Sequence, residues 1–107
     1  MNLDPVVGAE ASKRRPAVIV SNDDANAAAV RLGHGVVTVV PITSNVERIY
    51  PFQVRLPAQS TGLKNDRKAQ AEQVRSVAVE RVGHRVGSVP AHLMEHIDEA
   101  LRLHLAL

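Results

Sequence analysis

The chain has 107 residues, 45% hydrophobic and 22% charged, with a formal net charge of +2 at pH 7. That length fits one domain over residues 1–107, with a real core but a surface large enough that self-association helps. The absence of cysteine excludes disulfides, thiolate catalysis and cysteine-ligated zinc. With no apolar run of membrane-spanning length and no secretory signal at its start, the chain is expected to be cytoplasmic.

So mild a positive charge means that a phosphate-rich partner must be met by a local patch. Tyr50 and Phe52 are the only aromatics and there is no tryptophan. That is too few for a protein that holds single-stranded bases mainly by stacking.

In chain order, Leu3-Asp4-Pro5 reads as the tail of a strand, and residues 6–10 as the loop that follows. Residues 17–20 are an unbroken run of small and β-branched side chains, which reads as a strand buried on both faces. Lys13, Arg14 and Arg15 stand at its entrance. Pro16 fixes its own φ and pushes Arg15 toward extended backbone. A guanidinium held that stiffly suits an anion, and a solvated basic loop is the plainer reading of the same run. Ser21 or Asn22 can then cap a helix, with Asp23 and Asp24 in its first turn, Arg31 in its last and Gly33 at C′. Capping accounts for the paired aspartates without a metal. His34, between two glycines, reads as an exposed turn residue.

Residues 35–45 form a second central strand, in which Pro41 marks an edge or an interrupted ladder. Its end, Thr43-Ser44-Asn45, offers three short hydrogen-bonding side chains, for a ligand or for their own backbone. Over residues 50–56, Phe52, Val54 and Leu56 alternate with Gln53 and Arg55, the pattern of a half-exposed strand. A polar loop over 58–68 turns at Gly62. One or two short strands follow over 68–77, carrying Glu72, Gln73, Arg75 and Ser76. A helical turn is expected at 79–83 and a last short strand at 85–89.

Residues 90–107 form the one long amphipathic helix, with Ser88 as its cap and Pro90 in its first turn. Leu93, Met94, Ile97, Leu101 and Leu105 make its apolar stripe, beside Ala100. His92 and His96 are four apart, but the pair lacks the Glu of a zinc-protease motif and a third ligand, so no metal site is expected. His104 falls within the stripe and reads as a packed or interface histidine. There is no phosphate-binding glycine loop and no serine nucleophile elbow.

Taken in this order, the pieces resemble the MazF/PemK family of toxin endoribonucleases, or mRNA interferases, of bacterial toxin–antitoxin systems. The likeness is carried by Leu3-Asp4-Pro5 with Gly8 and Glu10, then Arg15-Pro16-Ala17-Val18-Ile19-Val20-Ser21-Asn22. It continues through Val40-Pro41-Ile42-Thr43-Ser44-Asn45, Pro51-Phe52-Gln53-Val54, Asp66 and Ala71-Glu72-Gln73-Val74-Arg75-Ser76, and closes with the helix ending at 101–107.

The resemblance implies a β-rich α+β fold: a small SH3-like β-barrel of the PemK/CcdB type, with a short helix after the second strand and a C-terminal helix. It implies a homodimer that cuts single-stranded RNA without metal or cofactor, by 2′-hydroxyl attack giving 2′,3′-cyclic phosphate and 5′-hydroxyl ends. It also implies a cognate antitoxin with an acidic disordered segment. The family's catalytic arginine and threonine fall on Arg15 and Thr43. Its loop glutamate and its Glu-Gln glutamine fall on Glu10 and Gln73, and Lys13, Arg14, Ser44, Asn45, Arg75 and Ser76 are expected to complete the RNA path.

The sequence departs from the family at two points. Only Met1-Asn2 precede Leu3, so most of a first strand is expected to be missing, and Ala9 stands where serine is frequent. Two other readings stand beside the nuclease. One is a truncated, inactive member that only binds RNA or antitoxin. The other is a CcdB-like gyrase inhibitor, against which stand the missing tryptophan and the ending Leu105-Ala106-Leu107.

Overall fold

In the computed structural model the backbone is described for residues 5–10 and 13–107, and the side chains from Arg15 onward. Among these residues the order is β1 (Pro5–Glu10), β2 (Lys13–Ile19), α1 (Asp23–Leu32), β3 (Val36–Thr43), β4 (Gln53–Leu56), α2 (Ala58–Thr61), β5 (Arg67–Gln70), β6 (Arg75–Ala78), β7 (Val82–Arg85) and α3 (Ala91–Leu105). Single 3-10 turns lie at Ala71–Gln73 and Val79–Arg81. All the strand pairs are antiparallel.

The two valine-rich strands explain the architecture. Successive side chains of a strand point to opposite faces, and in β2 and β3 both faces are covered. Ala17 joins Val37 and Val39 in one core, whereas Val18 joins Val40 and Ile42 in another. This is the two-sided burial expected of residues 17–20. The first core is the inside of a small barrel. Running through the turn at Val79–Arg81, β6 leaves its place beside β3 and continues into β7, which pairs with β1. Closure leaves the inner strands without free edges.

Residues 6–10 are a strand and not the expected loop. They pair with β2 from Pro5↔Val18 to Glu10↔Lys13. Gly8 and Ala9 dilute the apolar pattern, so this strand is held by its ladder partner more than by its own propensity. The three cations therefore lie within β2, and Arg15 stands opposite Gly8. Leu3 and Asp4, expected to end a strand, lie outside the described residues.

On one edge β3 pairs with β2, and on the other with β6 and then β5. The Thr38 carbonyl accepts from the Val20 N–H on the β2 side. By alternation the nitrogen of Pro41 points the other way, into the gap between the β6 and β5 ladders. The proline sits where no ladder bond is lost.

The second core lies under α3, where Leu93, Met94, Ile97 and Ala100 meet Val18, Val40, Ile42, Val54 and Leu56. Full burial of side chains such as Ile97 and Leu56 is worth roughly 1.5–3 kcal/mol each. The stripe fades toward the end of the helix: Leu101 is half-buried, Leu105 exposed, and His104 is exposed in this chain rather than packed. Pro90, not Ser88, is the N-cap, and its carbonyl accepts from the N–H groups of Leu93 and Met94. The Ser88 N–H is taken by the Thr61 carbonyl at 2.9 Å. Gly87 comes so near that a Cβ there would lie 2.3 Å from the same oxygen. The last strand, Val82–Arg85, lies ahead of the expected 85–89 and overlaps it only at Arg85, and the helical turn expected at 79–83 is the 3-10 turn at Val79–Arg81.

Helix α1 forms as its caps predict. Asn22 Oδ1 accepts from the N–H of Asp24 at 2.8 Å and of Ala25 at 3.3 Å, and Gly33 closes the helix at φ 72°. The expected loop at 58–68 contains one short helix, α2. Asp66 ties it to the neighbouring hairpin, accepting from the Ala58 N–H and from the Arg55 guanidinium at 2.8 Å each. The backbone N–H first, and Arg55 second, hold this exposed carboxyl below its ordinary value of 3.8. The resulting stabilisation is complete above 3.8 and is lost as pH falls through the lower folded-state value. Asp66→Asn should therefore flatten the acid limb of the stability curve, measured as urea midpoints from about pH 5 to about pH 2.

Candidate active site

Directly opposed residues in an antiparallel pair point their side chains to the same face. The β2–β3 register pairs Ala17 with Pro41. Continued by two residues, it brings Arg15 level with Thr43 on that face. Across the other edge, Val39 opposes Arg75. Arg15, Thr43 and Arg75 thus share the barrel-interior side of the sheet, beyond the end of the small core that Ala17, Val37 and Val39 fill. Arg15 and Arg75 are exposed and Thr43 is half-buried.

The other expected contacts are distributed less simply. Ser44 and Asn45 are exposed just past β3, and Gln73 is exposed in the 3-10 turn before β6. Ser76 opposes Thr38, so strand alternation turns it away from the face that Arg75 presents. The two cannot line one flat surface, because consecutive strand residues never do. The side chains of Glu10, Lys13 and Arg14 lie outside the described residues.

Thr43 Oγ1 accepts from the Asn45 N–H at 3.4 Å, and Asn45 Oδ1 from the Glu47 N–H at 3.2 Å. Both side chains thus brace their own turn. Because Thr43 acts there as an acceptor, its hydroxyl proton stays available to donate to a ligand oxygen.

The sequence reading missed the polar group beside Thr43. Lys68 is Thr43's direct partner in β5, and it is buried. Its ammonium donates to the Arg48 carbonyl at 2.6 Å and lies 6.0 Å from the centre of the Tyr50 ring. Gln53, expected on an exposed face, is also buried. Its Oε1 accepts from the Tyr50 N–H at 3.1 Å and its Nε2 donates to Glu72 Oε2 at 2.8 Å. The other Glu72 oxygen is buried with no hydrogen-bond partner. Tyr50 and Phe52 stack in parallel with ring centres 5.5 Å apart, and the Arg48 guanidinium lies 5.2 Å from the Tyr50 centre. The only hint of this cluster in the sequence was its pair of aromatics.

His92 and His96 are exposed on α3. Among the described residues no three potential metal ligands converge. A cleft of about 430 Å³ lies between β4 and α3, with Pro51, Val54, His96, Glu99, Ala100 and Leu103 among its lining.

Over residues 1–105 the chain matches the family described as PemK-like, MazF-like toxin of type II toxin–antitoxin system. Endoribonuclease MazF9 of Mycobacterium tuberculosis is 59% identical over 107 residues, which span 100% of this chain and 91% of that protein. Among solved structures, Mycobacterium tuberculosis toxin MazF-mt6 superposes with a TM-score of 0.78 at 26% identity, covering 96% of this chain and 97% of that one. A chain of the MazE-MazF (Form-II) crystal structure from Deinococcus radiodurans gives 0.77 at 25% identity, covering 97% and 92%.

The bonds around Gln53 generate a prediction. Gln53→Leu leaves the Glu72 carboxylate and the Tyr50 N–H unpaired while keeping the bulk of the side chain. Each such orphaned group costs about 1–3 kcal/mol. The urea midpoint should fall accordingly, and adding Glu72→Leu should restore part of the loss, because a half-buried carboxylate left without its partner is then removed.

Proposed function

The chain belongs to the PemK-like, MazF-like toxins of type II toxin–antitoxin systems, and from that premise we propose that it cuts single-stranded RNA on the face shared by Arg15 and Thr43. The observation that supports this reading is the β2–β3 register, which, continued two residues past the Ala17–Pro41 pair, would bring the two side chains to one side of the sheet. RNA holds its own nucleophile. When the 2′-hydroxyl is aligned with the adjacent phosphorus, the O2′–P bond forms as the P–O5′ bond breaks, the 2′ proton passing to solvent and the departing O5′ taking one up from solvent, so the protein's task is orientation and charge stabilisation. The Arg15 guanidinium is a fork that binds phosphate oxygens bidentately and stays charged. A permanently charged guanidinium serves as a donor and not as the base that takes the 2′ proton. Thr43 Oγ1 donates to a non-bridging oxygen and fixes the phosphate in register. Arg75, Ser44, Asn45 and Gln73 extend the contact along the strand, with Glu10, Lys13 and Arg14 on the neighbouring hairpin. Ser76 contributes only where the RNA wraps past the edge of β6.

The cognate antitoxin is the proposed protein partner, carrying an acidic segment that competes for the same cations and orders as it binds. The homodimer is supported by the exposed Leu103 and Leu105 on α3 and by the outer edge of β4, which among the described residues pairs only with β5. A substrate of cellular mRNA places the protein in the cytoplasm. No helix among the described residues is long and apolar enough to cross a membrane.

Arg15→Ala should lower the cleavage rate roughly a hundred- to a thousandfold, the effect of losing one preorganised donor, with the thermal transition unchanged. Arg15→Lys should recover little, since an ammonium cannot reproduce the fork. Products from a long single-stranded RNA should carry 2′,3′-cyclic phosphate and 5′-hydroxyl ends at an EDTA-insensitive rate. An active lysine variant would overturn the role of the fork, and cleavage of an all-deoxy strand would overturn the mechanism.

A further inference from the structure

Tyr50 and Phe52 are the chain's only aromatic side chains, and among the described residues neither ring packs into either core. Burying an aromatic ring yields more than burying most aliphatic side chains, so a chain that leaves its only two outside both cores forgoes considerable stability. The pair instead projects from the loop that follows Thr43. Tyr50 remains 41% exposed, with Phe52 parallel to it at 5.5 Å and the Arg48 guanidinium 5.2 Å from its centre.

The loop's anchorage is equally unusual. Burying a lysine ammonium is costly unless it is well bonded, yet Lys68 is buried to bond the Arg48 carbonyl and to sit near the Tyr50 ring. Gln53 is buried to bond the Tyr50 N–H, and Glu72 backs it from behind. Desolvated polar groups are thus committed to fixing the backbone of a surface loop. Because Lys68 is the direct partner of Thr43, the fixed loop lies over the face that Thr43 presents.

A ring with a second ring stacked on it and a guanidinium over it offers a π-face to a nucleobase once the exposed Arg48 side chain moves outward. Arg48 is itself exposed and can stack on the outer face of an inserted base. We propose that Arg48, Tyr50 and Phe52 form a base-stacking subsite that positions a nucleotide next to the scissile phosphate. The inference rests on the reading of the Arg15–Thr43 face as the site of cleavage. A single platform of this kind is compatible with the scarcity of aromatics, because it holds one base and leaves the rest of the strand to the cations.

The test compares native protein with Tyr50→Leu, Tyr50→Phe and Arg48→Ala on a single-stranded RNA whose cleavage site has been mapped. Tyr50→Leu keeps apolar bulk but loses the π-face, and should lower kcat/KM roughly 5- to 100-fold. Tyr50→Phe should keep native activity, and Arg48→Ala should fall in the same direction as the leucine variant with no change in the thermal transition. An abasic residue at one position beside the cut should bring native protein down to the level of Tyr50→Leu and cost that variant nothing more. Equal losses at every abasic position, or a fully active Tyr50→Leu, would overturn the subsite while leaving the nuclease reading intact.

A second readout does not depend on cleavage. Tyr50 is the only tyrosine and there is no tryptophan, so intrinsic emission reports on this ring alone. A random pool of 2′-O-methyl RNA decamers, which cannot be cut, should quench it saturably as anisotropy reports binding. Binding without quenching would overturn the proposal. Quenching by a protein that cuts no RNA would uphold the platform and overturn the nuclease reading.

Discussion

Everything in this fold depends on two adjacent strands whose consecutive residues are buried in different cores. Ala17 and Val18, like Val39 and Val40, are neighbours in the chain that face opposite ways, and each finds apolar company. Neither core would be sufficient alone in a domain this small. The barrel interior is formed from alanine and valine with the half-buried Ile19, and the layer under α3 supplies most of the larger side chains. A β2–β3 pair gripped on both faces cannot slip its register, because a shift of one residue would exchange the contents of the two cores. The proposed site residues inherit that rigidity, since Arg15 and Thr43 stand only two positions beyond the paired Ala17 and Pro41.

The chain's polar residues divide by what they hold. Some cap and join helices: Asn22 begins α1, and Asp66 joins α2 to the β4–β5 hairpin. Others are buried around Lys68 and Gln53, where they hold a loop and not a secondary-structure element. Buried polar groups raise the cost of any alternative arrangement, because each wrong one strands a donor or acceptor. Their concentration beside Thr43 marks this region as the one whose geometry is most closely prescribed.

Much of this was legible in the sequence, for reasons that can be named. The β-branched runs, the Asn22 and Gly33 caps and the stripe on α3 are local signals, and each produced its element nearly where expected. The misreadings arose where a distant partner decides. Residues 6–10 form a strand because β2 and β7 offer ladders on either side, and past Arg85 the chain turns to Thr61, whose carbonyl takes the N–H of Ser88. Gln53 alternates like a surface residue but is buried by two bonds to groups three and nineteen positions away. Among the proposed site residues, periodicity could have separated Ser76 from Arg75, whereas nothing in the sequence pairs Lys68 with Thr43. That pairing is set by how the β4–β5 hairpin folds back, a property of register and not of composition.

The chemistry proposed for this face explains why so modest a scaffold suffices. An enzyme that must generate a nucleophile needs a base of tuned pKa, and tuning calls for burial, neighbouring charges or a metal around it. RNA brings its nucleophile with it, so what remains is to hold a phosphate and the atoms beside it within a narrow range of positions. A guanidinium with a stable charge and a hydroxyl on a locked strand are enough for the phosphate. They do not fix the sugar, which turns about the backbone unless its base is also held. A stacking surface on the far side of Thr43 supplies that third point, and a rigid loop is the only kind on which it would be useful. On this view the buried lysine and glutamine are the counterpart, for the base, of what the two-sided burial of β2 and β3 does for the phosphate.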